Sequence, residues 1–208
     1  MINTLKRLTL SLGLVFCLVA CGSSPPNKYY RLTSTAALGG DNQQPALGIG
    51  PIEIPEFLNR DALVYSEGGN RLQVAGNDRW AEPLDDGIQR VMGLNLAQLL
   101  QSQHMQFFPW DLRYAPEYGV RVNVLDLDAQ TGKATLVAEW VLYRPRDGSS
   151  FTRQISTFSK PLAGNTVTAR ELPPAYSDLL HQLSETIAAA IKADQQNKTE
   201  ATGTQAES

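Results

Sequence analysis

Cysteine and histidine are almost absent from this chain, with two of each in 208 residues. Both cysteines, Cys17 and Cys21, stand at the N-terminus, so the remaining body has no thiol for a disulfide, a nucleophile or a thiolate metal site. His104 has no neighbour at metal-ligand spacing, and His181 falls opposite the apolar stripe of a helical segment. There is no Gly-x-Ser-x-Gly elbow and no Walker-type loop. Gly48-Ile49-Gly50 lacks the third glycine and the following helix of a phosphate loop. An excess of positive charge is missing too: 18 basic residues stand against 21 acidic ones. That balance excludes an electrostatic footprint for nucleic acid or a polybasic patch for lipid headgroups.

Long apolar runs are also missing. The longest stretch of interest, Leu8 to Ala20, spans 13 residues, too short for a transmembrane helix and right for the apolar part of a secretion signal. Lys6 and Arg7 precede it, and Leu18-Val19-Ala20-Cys21 closes it. This resembles a bacterial lipoprotein signal. In that class the Cys21 thiol is linked to a diacylglycerol, the signal is cut before it, and the new amino group is acylated. Acyl chains contribute about 0.8 kcal/mol per buried methylene, so several together give stable anchoring. Gly22 follows, where an Asp would retain such a protein at the inner membrane. The implied address is therefore the outer membrane, on its periplasmic side. Loss of Lys6 and Arg7 with the signal leaves 16 basic against 21 acidic residues, a net −5.

The mature chain is long enough for one domain with a real core. Residues 1–20 read as signal, 21–27 as lipidated cysteine and short linker, 28–193 as a single domain and 194–208 as a disordered polar tail. Six extended linker residues reach roughly 20 Å, so the domain sits close to its membrane. Strands are expected at Tyr29–Thr33, Leu47–Ile54 (interrupted near Pro51), Ala62–Ser66, Arg71–Val74 and Met105–Phe108. Tyr118–Leu127, Leu136–Tyr143 and Phe151–Phe158 read as an antiparallel meander. The apolar phase of the first switches from Val124 to Leu125, which predicts a bulge or a change of exposure. The near-continuous apolar run of the second predicts a strand covered on both faces.

Two main helices are expected, at about 84–102 and 174–192. Leu84, Ile88, Val91, Met92, Leu96, Leu99 and Leu100 carry the first, with Asn95 as a hydrogen-bonded core amide inside the stripe. Tyr176, Leu179, Leu180, Leu183, Ile187, Ala190 and Ile191 carry the second. Asp126 and Asp128 have the spacing of an acid/base pair but read more simply as a solvated strand edge. Glu139 lies in the most apolar strand, where a partner on a neighbouring strand explains it. No catalytic constellation emerges, and no cofactor or metal is expected.

Taken together, the segments resemble the PqiC (YmbA) family of auxiliary lipoproteins. The residues that carry the resemblance are the Cys21 lipobox, Asn27-Lys28-Tyr29-Tyr30-Arg31-Leu32 and Ile49-Gly50-Pro51-Ile52-Glu53-Ile54-Pro55-Glu56-Phe57-Leu58. Arg79-Trp80-Ala81-Glu82-Pro83-Leu84-Asp85 and Val137-Ala138-Glu139-Trp140-Val141-Leu142 complete the set, in matching order. The resemblance implies an α/β three-layer sandwich with a mixed sheet and two main helices. An α+β arrangement built on the 118–158 meander is the alternative. It further implies a non-enzymatic subunit beside an MCE-domain (PqiB-like) protein that bridges the two membranes and moves lipid, and it leaves a homo-oligomer open. Trp80, Phe57 and Trp110 are candidate partner anchors, and core plugs closing the ends of the sheet are the alternative reading of each. A carrier that holds lipid in its own cavity is the alternative function.

Overall fold

The computed structural model describes residues 25–35, 45–164 and 166–206. The signal, Cys21, the first part of the linker and most of the polar loop between Ser34 and Ala46 lie outside the described residues. Among the described residues, eight strands form two sheets. The strands are β1 (Lys28–Tyr30), β2 (Leu47–Glu53), β3 (Ala62–Gly68), β4 (Arg71–Trp80), β5 (Met105–Phe107), β6 (Tyr118–Gln130), β7 (Lys133–Tyr143) and β8 (Ser150–Pro161). The larger sheet has the order β5-β2-β6-β7-β8 and the smaller β1-β4-β3. In the larger sheet β2 runs parallel to both β5 and β6, whereas β6, β7 and β8 form the expected antiparallel meander. The α/β layering with a mixed sheet thus stands, but the strands divide between two sheets.

The α-helices among the described residues are α1 (Leu84–Leu99) and α2 (Leu172–Ala206). Pro83 opens α1, where a fixed φ suits a helix start, and Asp85 and Asp86 complement the positive end of its dipole. Before α2, the Thr168 and Glu171 side chains close a capping box on the turn Ala169–Glu171. One buried cluster joins both sheets and both helices, with Ile88, Met92 and Leu96 of α1 and Leu179, Leu183 and Ile187 of α2 fully enclosed. Among the described residues no helix is long and apolar enough to cross a membrane.

Three local expectations meet the coordinates closely. The register of β6 slips between Val124 and Asp126, so Leu125 is extruded to the surface and Leu127 returns to the core face. The register of β2 shifts between Ile49 and Ile52, around Pro51. Asn95 is buried and accepts a hydrogen bond of 2.6 Å from the Ser34 hydroxyl.

Two others need correction. Strand β7 is covered on both faces only near its end: Ala134, Leu136, Ala138, Trp140 and Leu142 face the core, while on the other face Thr135, Val137 and Glu139 are partly exposed and Val141 is buried. Of the tail expected at 194–208, residues 194–206 are not disordered but helical, as the continuation of α2. Composition alone gives that stretch no reason to fold; partners on β6 and after β7 supply it.

Candidate interaction surfaces

The register fixes which end of the molecule holds what. Beyond β1 the chain passes between the helices, where Thr33 donates its N–H to the Ser177 hydroxyl at 3.0 Å and Arg90 donates to the Leu32 carbonyl at 3.0 Å. Tyr118, at the start of β6, donates its hydroxyl to Asp194 at 2.7 Å. Ser177 and Asp194 are 17 residues apart on α2, about 25 Å of helix. The chain therefore enters near the N-terminal end of α2, and the start of β6 lies about 25 Å farther along it.

At that far end the Arg144 guanidinium lies between two aromatic faces, 4.2 Å from the Tyr118 ring centroid and 4.5 Å from that of Phe151. It also pairs with Asp194 at 2.6 Å. Burial opposes ionisation of Asp194, but hydrogen bonds from Tyr118 and Arg144 more than offset it and hold the carboxyl below its usual range. Burial, then the bond to Asp194, pushes the Tyr118 phenol up. Lys198 reaches Glu117 at 3.1 Å from the next turn of α2. Beside this cluster opens a cleft of about 780 Å³, bordered by Pro45, Pro116, Arg144, Arg146, Asp147 and Gln195. Sequence reasoning missed the cluster because Tyr118 and Arg144 lie 76 and 50 residues from Asp194.

The three candidate anchors separate. Trp80 is buried, with its ring 6.4 Å from that of Tyr176, so it is a core plug and not a contact residue. Phe57, half-buried in the turn Glu56–Leu58, packs on the same core. Trp110 stays half-exposed and meets Phe108 edge-on at 5.5 Å. It lies over Gly48, where an added Cβ would stand 2.8 Å from the Trp110 ring and 2.5 Å from Pro116. Close approach, not phosphate binding, accounts for that glycine.

The carboxylates resolve in the same way. Glu139 accepts from Arg153 of β8 at 3.1 Å, a partner on the neighbouring strand. Asp126 and Asp128 depart from the solvated-edge reading: both are half-buried, and burial raises both pKa values. Asp128 accepts the Ser66 backbone N–H at 2.8 Å and so ties β3 to β6. His104 is exposed, and His181 lies 3.7 Å from Glu185 on the open side of α2. Among the described residues no three His, Cys, Asp or Glu side chains converge as metal ligands.

A family model for the ABC-type transport auxiliary lipoprotein component matches residues 30–188. The chain belongs to this family. Within it, intermembrane transport lipoprotein PqiC of Escherichia coli K12 is 26% identical over 133 residues, which are 60% of this chain and 68% of that protein. PqiC of Shigella flexneri matches to the same extent. Among solved structures, a protein from Xanthomonas campestris superposes with a TM-score of 0.66 at 13% identity, covering 83% of this chain and 99% of that one. A second structure, of an uncharacterized protein, reaches a TM-score of 0.60 at 20% identity, covering 80% and 99%. Both support the fold alone. As an auxiliary lipoprotein of the PqiC type, the chain has a role in transport, and its matched region begins at Tyr30, just past the linker.

Proposed function

We propose that the protein is anchored to the outer membrane through acylated Cys21, faces the periplasm, and serves as a non-enzymatic auxiliary subunit of an MCE-type intermembrane lipid transport system. In this role it docks the outer-membrane end of the MCE-domain bridge protein. The observation that carries the reading is the family match over residues 30–188, directly behind a lipobox. The geometry agrees with a tethered subunit. The chain enters at the Ser177 end of α2 after a short linker, which leaves the Tyr118 end free to face away from the membrane.

The carrier alternative requires a lipid-sized cavity between sheet and helices. At that place Leu136, Trp140, Leu179, Leu183 and Ile187 belong to one contiguous buried cluster, and the cleft of about 780 Å³ beside Arg144 lies on the surface.

Mass spectrometry of the N-terminal peptide, combined with density-gradient separation of the two membranes, tests the anchor. The proposal expects a lipid-modified Cys21 as the first residue and recovery in the outer-membrane fraction. An unmodified N-terminus, or recovery in the inner membrane, contradicts it.

A further inference from the structure

Strand β8 closes the larger sheet on one side, and among the described residues its outer edge carries no backbone hydrogen bond to another segment. The other end strands are not open in this way. Strands β1 and β5 are three residues long, and β3 is tied to β6 through Ser66 and Asp128. A long bare edge is a template for a further strand unless proline, a bulge or free charge blocks it. In β8 the one proline, Pro161, is the last residue, and the one shift of register lies at its start, opposite Leu142 and Tyr143. Its two cations are already held, Arg153 by Glu139 at 3.1 Å and Lys160 by Asp178. Ile155, in the middle, is 60% exposed.

The edge also has a direction. Lys160 pairs with Asp178, next to Ser177 at the chain's entry. Phe151 lies against Arg144, which pairs with Asp194 at the far end. Strand β8 therefore runs along α2, and at about 3.3 Å per residue its edge covers about 30 Å from the far end to the membrane end.

That alignment decides between two occupants. Two copies that pair β8 with β8 are related by a two-fold axis, so the strands run antiparallel and the two chains enter at opposite ends. One entry then stands about 30 Å farther from the bilayer than the other, beyond the roughly 20 Å reach of the linker. A copy that pairs through β1 or β5 offers three residues to an edge of twelve. A protein that reaches across to the outer membrane instead approaches along the edge's own direction.

We infer that an extended segment of the membrane-bridging partner adds as a strand to the open edge of β8. Backbone hydrogen bonds hold it, and one of its apolar side chains covers Ile155. The segment is uncharged opposite Arg153 and Lys160, whose charges are already met. The inference rests on the proposed function and names the surface through which it operates.

The test uses the full-length anchored protein, with a photo-crosslinking amino acid placed at Ile155 or, as a control, at Leu72, which is exposed on β4. Irradiation in cells is followed by mass spectrometry of the adducts. The inference expects an MCE-domain protein crosslinked from position 155 and at most a trace from position 72. It further expects Ile155→Lys combined with Thr157→Lys, both on the exposed side of β8, to lower capture of that partner by chemical crosslinking about tenfold. Thermal stability is expected to stay unchanged. An adduct of twice the monomer mass, or a phospholipid adduct, from position 155 overturns the inference in favour of a second copy or the membrane. An equal yield from position 72, or undiminished capture of the MCE-domain protein by the double variant, overturns the edge and leaves the proposed function standing. No MCE-domain protein captured by wild type with either chemistry overturns both.

Discussion

The Arg144 guanidinium and the Asp194 carboxylate lie 2.6 Å apart and join the segment after β7 to the far half of α2. Their side chains are only 20% and 22% exposed, so the pair is screened far less than a surface bridge. Asp194→Ala leaves Arg144 and the Tyr118 hydroxyl without their shared acceptor and is expected to cost about 1–3 kcal/mol. Ending the chain after Lys192 removes Lys198 as well and is expected to destabilise at least as much. Thermal unfolding of the two variants checks both. Equal stability of wild type and the truncated chain would show that the extended helix contributes nothing.

Asp194 and Asp126 respond to pH in opposite senses. The Asp194 carboxyl titrates below its unfolded value. Its contribution is therefore complete above about pH 4 and is lost as pH falls through the lower folded value. The gap in Tm between wild type and Asp194→Asn is expected to be widest near neutrality and to close in acid.

Burial instead raises the Asp126 pKa, so the native state favours the protonated carboxyl. That preference supports folding below the unfolded value and is lost as pH rises through the folded one. Asp126→Asn, neutral throughout, is expected to raise Tm at pH 7 and to bring no gain near pH 3. A drop in Tm at pH 7 would instead assign Asp126 an ionised structural role.

Trp80 and Trp110 separate core from surface. Trp80→Ala empties a buried site against Tyr176 and is expected to cost about 3–5 kcal/mol. Trp110→Ala removes a half-exposed ring and should cost less than half as much. Denaturant unfolding of both variants measures the difference.

Gly48→Ala probes how the loop after β5 is seated. The added methyl would overlap Pro116 and the Trp110 ring, at 2.5 and 2.8 Å. Displacement of that loop is expected to cost about 1–3 kcal/mol, with a change in Trp fluorescence at matching helix content by circular dichroism.

Patterns that repeat along the chain were legible in the sequence. The α1 stripe from Leu84 to Leu96, the α2 stripe from Tyr176 to Ile191 and the phase switch at Leu125 all rest on local periodicity, and the coordinates follow them. What was not legible depends on partners far away in sequence. The polar stretch from Asp194 has no apolar face to announce a helix, yet Tyr118 and Arg144 hold it. Trp80 reads equally as anchor or plug until Tyr176, 96 residues later, is found beside it. Asp128 reads as a solvated edge until the Ser66 N–H arrives from β3. The division into two sheets leaves the β3-β4 hairpin, with the three-residue β1 on its edge, apart from the larger sheet.

The central claim is a membrane-anchored subunit that holds the outer-membrane end of a bridge protein. In-cell chemical crosslinking of the full-length protein, with mass spectrometry of what copurifies and a Cys21→Ala control, tests it most directly. The account predicts an MCE-domain protein in the wild-type sample and its loss from the control. Copurified phospholipid without any MCE-domain protein, or neither, would contradict it.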